Sequence, residues 1–149
     1  MKGGGTIETI ESSEKMEQCA EEFVKTIKSG KNNAHITGLH GELGSGKTTF
    51  VKGAAKAFGI KNMVTSPTFV IEKIYKLANK DFDHLIHIDA YRLKNGAELS
   101  HLGWKEIAKD PRNIIFIEWP ENITDILPKN IEQLNFTFIN ENTREIEYA

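Results

Sequence analysis

The octet Gly41-Glu42-Leu43-Gly44-Ser45-Gly46-Lys47-Thr48 has the residue types and spacing of a phosphate cradle, Gly-x-x-x-x-Gly-Lys-Thr. Small residues at Gly44, Ser45 and Gly46 let backbone N–H groups converge on phosphate oxygens, and a helix starting directly after them adds its positive end. Lys47 supplies a cation for β and γ phosphates. Thr48 places a hydroxyl where it can take one coordination position on Mg²⁺.

Mg²⁺ is octahedral and oxygen-seeking, so a hydroxyl and phosphates need an acidic partner. Two short apolar runs, Leu85-Ile86-His87-Ile88-Asp89 and Ile114-Ile115-Phe116-Ile117-Glu118, each close on a carboxylate. Ligands of open α/β sheets gather at the carboxyl ends of strands, which is where Asp89 and Glu118 would stand. Spacing alone leaves open which of the two meets the metal and which orients water. Asn79-Lys80-Asp81-Phe82 carries its Asp one place early for the guanine-reading Asn-Lys-x-Asp, and it precedes a strand. It reads as a charged turn, so ATP is expected rather than GTP.

The elements that must position these groups follow from periodicity. Thr6 to Ile10 reads as a short strand. Ser12 and Ser13 offer N-cap hydroxyls to a helix with Met16, Cys19, Ala20, Phe23, Val24 and Ile27 on one stripe, ending near Gly30. Ala34 to Leu39 reads as the strand feeding the phosphate loop, and Phe50, Val51, Ala54, Ala55 and Phe58 as the helix leaving it, stopped by Gly59. Phe69 to Leu77 is β-rich after Pro67. Ala97 to Lys109 is helix-like, between the two buried strands. Ile131 to Ile139, a turn at Glu141-Asn142-Thr143, and Arg144 to Tyr148 form a terminal hairpin. Strands alternating with helices predict an α/β fold with a mostly parallel sheet and helices on its faces.

Composition bounds the remaining classes. The chain has 149 residues, 39% hydrophobic and 27% charged, which suits one folded domain over residues 6–149 behind a glycine-rich, flexible start at residues 1–5. A net charge of −2 gives no global attraction to nucleic acid or anionic lipid. The single cysteine, Cys19, lies on an apolar stripe and reads as a small buried hydrophobe in a reducing compartment. His35, His40, His84 and His101 lack metal-ligand spacing, so no zinc site is expected. The longest aliphatic or aromatic run, Ile114 to Ile117, is far short of a membrane span, and a cytoplasmic protein is expected.

Taken with Ser66-Pro67-Thr68-Phe69, His87-Ile88-Asp89-Ala90-Tyr91-Arg92-Leu93 and Ile117-Glu118-Trp119-Pro120-Glu121, the octet resembles the TsaE family, small bacterial P-loop ATPases of tRNA threonylcarbamoyladenosine formation. The resemblance covers most of the chain, from the first helix to the terminal hairpin. It implies a P-loop NTPase-like three-layer sandwich with a C-terminal β-hairpin. It implies ATP and Mg²⁺ as cofactors, with Gly44, Ser45, Gly46, Lys47, Thr48 and Thr49 on the phosphates and Thr48 and Glu118 on the metal. Asp89 then positions or activates the attacking water, with Lys47 as its catalytic companion. Thr68 would sense the γ-phosphate from a switch-like loop, and Trp119 would shape the nucleotide pocket. Ser13, Thr143 and Arg144 match segments that flank the adenine. His87 belongs to the same motif, but on a buried strand it reads as a satisfied core histidine rather than a catalyst.

The implied partners are the TsaD and TsaB proteins, with tRNA engaged indirectly through their complex and no membrane. Only Arg92, Arg112 and Arg144 could stabilise transition-state charge from within the chain, and such arginines can come in trans, so weak hydrolysis alone is expected. Two other readings stay open on the residues. A small P-loop kinase would use the same loop, although the segment between Asp89 and Ile114 is short for both a lid and an acceptor site. A nucleotide-sensing module would share every phosphate-site residue without needing turnover.

Overall fold

The computed structural model describes residues 5–61 and 71–148. Strand β5 (Asn113–Glu118), interior to the sheet, is buried at every position, as a strand covered on both faces must be. Alternation along β5 sends Ile114 and Phe116 to one core and Ile115 and Ile117 to the other. Two cores on one sheet make three layers. β2 (His35–His40) and β4 (His84–Asp89) flank β5 in parallel, and β6 (Glu132–Asn140) runs parallel to β2 on its far side. β7 (Thr143–Tyr148) returns antiparallel on β6, β1 (Thr6–Ile10) pairs antiparallel with β7, and β3 (Glu72–Lys76) pairs antiparallel with β4. Among the described residues the sheet order is β1-β7-β6-β2-β5-β4-β3. β1, β6, β2, β5 and β4 point one way and β7 and β3 the other, so the expected mostly parallel α/β sandwich with its hairpin is the observed fold.

One face is covered by α1 (Ser13–Lys25) and α2 (Lys47–Ala57). Ser12 caps α1, its hydroxyl accepting from the Lys15 N–H at 3.0 Å. Met16, Cys19, Ala20 and Phe23 form its buried stripe. The helix ends at Lys25, about a turn before Gly30, because the Thr26 hydroxyl donates back to the Phe23 carbonyl at 2.6 Å and tightens the last turn. α2 ends as expected at Gly59, which has φ +86°. The Ile60 N–H reaches Ala55 O at 3.0 Å and the Gly59 N–H reaches Lys56 O at 2.9 Å, a Schellman closure.

The opposite face differs from expectation. Ala97 to Lys109 is two helices, α3 (Ala97–His101) and α4 (Trp104–Lys109), because Gly103 takes φ +84°, which a right-handed helix cannot contain. The break leaves Leu102 half exposed and turns Trp104 inward, where its indole N–H donates to the Ile126 carbonyl at 3.2 Å. A 3₁₀ turn at Pro120–Ile123 follows β5. The Phe69 to Leu77 strand is observed as Glu72–Lys76. Phe69 lies outside the described residues, as do Met1 to Gly4 and Ser66-Pro67-Thr68. No helix among the described residues is long and apolar enough to cross a membrane.

The α1–α2 crossing depends on Gly53. A Cβ there would stand 2.6 Å from the Glu17 Cα and 2.8 Å from the Glu17 carbonyl oxygen. In an open helix Gly→Ala stabilises by about 1 kcal/mol. Gly53→Ala is instead expected to destabilise by roughly 1–3 kcal/mol, because backbone has to move. Urea unfolding checks this: a midpoint equal to or above the wild type would contradict the close crossing.

Candidate phosphate and metal site

The loop between β2 and α2 is held open by backbone shape. Gly41, Gly44 and Gly46 have φ of +149°, +80° and +105°. At Gly41 space is also closed to a side chain, since a Cβ there would meet Phe136 O and Ser45 Oγ at 2.6 Å, while one on Gly46 would press on the flexible end of Met16, 2.4 Å from Cε. Ser45 is fully buried, and its hydroxyl has no hydrogen-bond partner, which suits a group waiting for an anionic oxygen.

Lys47 is buried to 4% exposure at the head of α2. Its ammonium donates to the Gly41 carbonyl and sits 3.8 Å from the centroid of the Trp119 ring, a cation–π contact. Burial pushes its pKa down, while Glu118, Glu121 and Asp89 act in the other direction. The carbonyl and ring hold the cation beside the loop without neutralising it.

Thr48, next in the helix, reaches across to the end of β5. Its hydroxyl lies 3.2 Å and 3.0 Å from the two carboxylate oxygens of Glu118. Glu118 is 5% exposed, and its Oε2 is 2.6 Å from Nε2 of the equally buried His87. A hydroxyl and a carboxylate are the hard oxygen donors Mg²⁺ takes, so this pair fits that ion when phosphate supplies the remaining charge. No group of three or more His, Cys, Asp or Glu able to hold a metal occurs among the described residues.

Asp89 stands opposite Glu118 in the parallel register of β4 and β5. Burial is the main cause that raises its pKa, Glu118 adds to the rise, and the Tyr91 N–H, donating to Oδ1 at 3.0 Å, opposes it. Trp119 holds φ +61°, a left-handed backbone that costs a non-glycine residue roughly 1–2 kcal/mol. Pro120 starts the 3₁₀ turn directly after it, and the indole is fixed between Lys47 and the Tyr91 ring, 5.1 Å away.

A cleft of about 540 Å³ lies over the glycine loop, bordered by Gly44, Gly46, Lys47, Thr48, Thr49 and Glu118 together with Ser13 and Arg144. Met16, Ile10 and Leu43 supply apolar wall. Arg144 donates from Nε to Gly44 O at 2.8 Å and from Nη1 to Asn140 O at 2.6 Å, with its guanidinium 4.4 Å over Phe138. The hairpin is thereby tied to the loop. Thr143 pairs with Asn140 at the hairpin's end, while Glu141 and Asn142, read from sequence only as a turn, border the cleft. Thr68 lies outside the described residues.

Sequence reasoning missed the position of His87 against Glu118. Its signal was the two-residue spacing from Asp89, which puts both side chains on one face of β4. Glu121 was missed as well, although its charge acts on Lys47 and it pairs with His40 Nδ1 at 3.3 Å.

The family model "Threonylcarbamoyl adenosine biosynthesis protein TsaE" matches residues 10–146. The tRNA threonylcarbamoyladenosine biosynthesis protein TsaE of Borreliella burgdorferi is 39% identical over 121 residues, covering 81% of this chain and 82% of that one. The same-named protein of Rickettsia typhi is 34% identical over 137 residues, covering 91% and 89%. The crystal structure of YdiB from Bacillus subtilis superposes with a TM-score of 0.73 at 27% identity, covering 96% of this chain and 83% of that one.

The raised Asp89 carboxyl makes a prediction for the protein free of nucleotide and metal. A carboxyl whose folded pKa lies above its ordinary 3.8 destabilises the fold once ionised, and that loss vanishes below the ordinary value. Asp89→Asn is expected to raise the unfolding temperature at pH 7 in the presence of a chelator. The gain should shrink as pH falls through the raised pKa toward the ordinary one. Paired thermal melts from pH 7 to pH 4 test it, and a gain that does not change with pH would contradict the assignment.

Proposed function

Because the chain belongs to the TsaE family of threonylcarbamoyl adenosine biosynthesis proteins, we propose that it serves tRNA threonylcarbamoyladenosine biosynthesis as a Mg²⁺-dependent ATPase. The observation that carries this reading is the Thr48–Glu118 hydrogen bond. It joins a hydroxyl in the first turn of α2 to a strand-end carboxylate 70 residues away, directly beside the buried Lys47.

In this reading the backbone amides of Gly44 to Thr49 and the Lys47 ammonium bind the phosphates, and Thr48 with Glu118 holds Mg²⁺. The bound ion would neutralise charge on the phosphate oxygens. Asp89, a neighbour of Glu118 in the sheet and bonded on one oxygen to the Tyr91 N–H, orients the attacking water with the other. Lys47 leaves the Trp119 ring for the phosphate, and the indole, which backs Lys47 rather than lining the cleft, shapes the pocket from behind it. Ser13 and Arg144 flank the base. Asn79 supports ATP over GTP: its Oδ1 accepts from the Asp81 and Phe82 N–H groups at 2.8 Å and 3.0 Å and is used up as a turn.

Turnover is coupled to the TsaD and TsaB proteins, with tRNA reached through their complex. Two of the chain's own arginines support dependence on a partner. Arg112 pairs with Asp83 at 3.0 Å, at the end of the sheet away from Glu118, and Arg144 is held by backbone carbonyls. An arginine supplied in trans can raise phosphoryl transfer by about 10³–10⁵.

The deciding experiment is Mg²⁺-dependent ATP hydrolysis by the purified chain, alone and with TsaD, TsaB and tRNA. Slow turnover that rises with the partners is expected, and Lys47→Ala should lower it about 100-fold or more. Asp89→Ala should abolish turnover while ATP still binds. Turnover indifferent to these partners would overturn the coupling, and full pathway function in Asp89→Ala would leave a nucleotide sensor in place of an ATPase.

A further inference from the structure

His87 is the third member of the Thr48–Glu118 junction, and a core role does not account for its contact. Its side chain and that of Glu118 are 4% and 7% exposed, and Nε2 lies 2.6 Å from Oε2. The register sets His87 beside Phe116 and Asp89 beside Glu118, so the imidazole meets the carboxylate diagonally across two parallel strands. Both strands are interior to the sheet, which fixes the two backbones relative to each other.

An ionised carboxylate only accepts hydrogen bonds, and burial makes each missing donor costly. Among the described residues two side-chain donors face Glu118, the Thr48 hydroxyl and His87 Nε2. The first is the group that the proposed function turns toward the cation. Once it turns, His87 still restrains the carboxylate. Without it, a Glu side chain at a strand end can rotate about its terminal torsion, which has a broad and shallow preference. Groups that hold a metal ligand in this way set much of a site's affinity.

We infer that His87 is a positioning residue for the metal carboxylate: by donating to Glu118 Oε2 it leaves Oε1, together with Thr48 Oγ1, to face Mg²⁺. This inference rests on the proposed nucleotide and metal site. It separates the roles along β4: His87 sets the metal ligand, and Asp89, two residues on, stands beside it on the same face for water.

The test is a metal titration with a readout independent of turnover. Mn²⁺ binding in the presence of ADP is followed by electron paramagnetic resonance, and ADP binding is measured separately in a chelator. His87→Leu is expected to weaken metal binding about 10–100-fold while leaving metal-free ADP binding unchanged. His87→Gln, whose side-chain amide reaches the place of Nε2, should restore most of the loss, and His87→Asn, which is shorter, should not. If His87→Leu does not fold, the Gln and Asn pair decides: equal metal affinity in those two overturns the inference. Wild-type metal affinity in His87→Leu overturns it too, with the nucleotide site left standing. ADP binding by the wild type that recruits no Mn²⁺ takes down both this inference and the proposed metal site.

Discussion

A carboxylate at the closed end of a strand that is otherwise apolar is the constraint around which this molecule is arranged. Glu118 ends a run of buried residues and is itself only 5% exposed, so the protein brings donors to it. The Thr48 hydroxyl comes from the helix after the glycine loop, and the imidazole of His87 from the neighbouring strand. Lys47 lies close enough for its charge to be felt. These groups come from two elements, α2 and β4, and the elements are fixed by the two apolar cores on either side of β5. The polar cluster would have no definite geometry on a less thoroughly packed strand.

The parts of the fold legible in the sequence are those whose signals are local. Glycines at 41, 44 and 46 read as a phosphate cradle because positive φ and close approach are properties of single residues. The apolar runs that became β4 and β5 read as buried strands for the same reason. The break at Gly103 was hidden because one glycine inside a helical pattern is usually tolerated, and only the need to turn Trp104 into the core makes it a boundary. The early end of α1 was hidden because Thr26 looks like any polar helix residue until its hydroxyl bonds back to Phe23.

Within the site, the split was between positions along the chain and neighbours across it. Lys47, Thr48, Asp89 and Glu118 stood out by type and placement. The contact between His87 and Glu118 depends on the register of two strands, which no window of sequence contains. The left-handed backbone of Trp119 is of the same kind: it falls between the end of β5 and the turn that starts at Pro120, and the residue type argues against it. Glu141 and Asn142 looked like turn formers because that is what they are, and their place on the cleft follows from how the hairpin folds over the loop.

The sheet order also bears on how the chain reaches its fold during synthesis. β1 takes its sheet partner from β7, and the Tyr148 hydroxyl donates to Glu8 across 140 residues at 3.1 Å. A nascent chain can assemble β2, β5 and β4 around their local helices early, but β1 waits for β7 to emerge, since so long a closure is slow to form. Ser13, just after β1, and Arg144, within β7, both border the cleft, and Arg144 also donates to Gly44 O in the glycine loop, 100 residues earlier. The finished shape of that loop therefore depends on a strand made long after it.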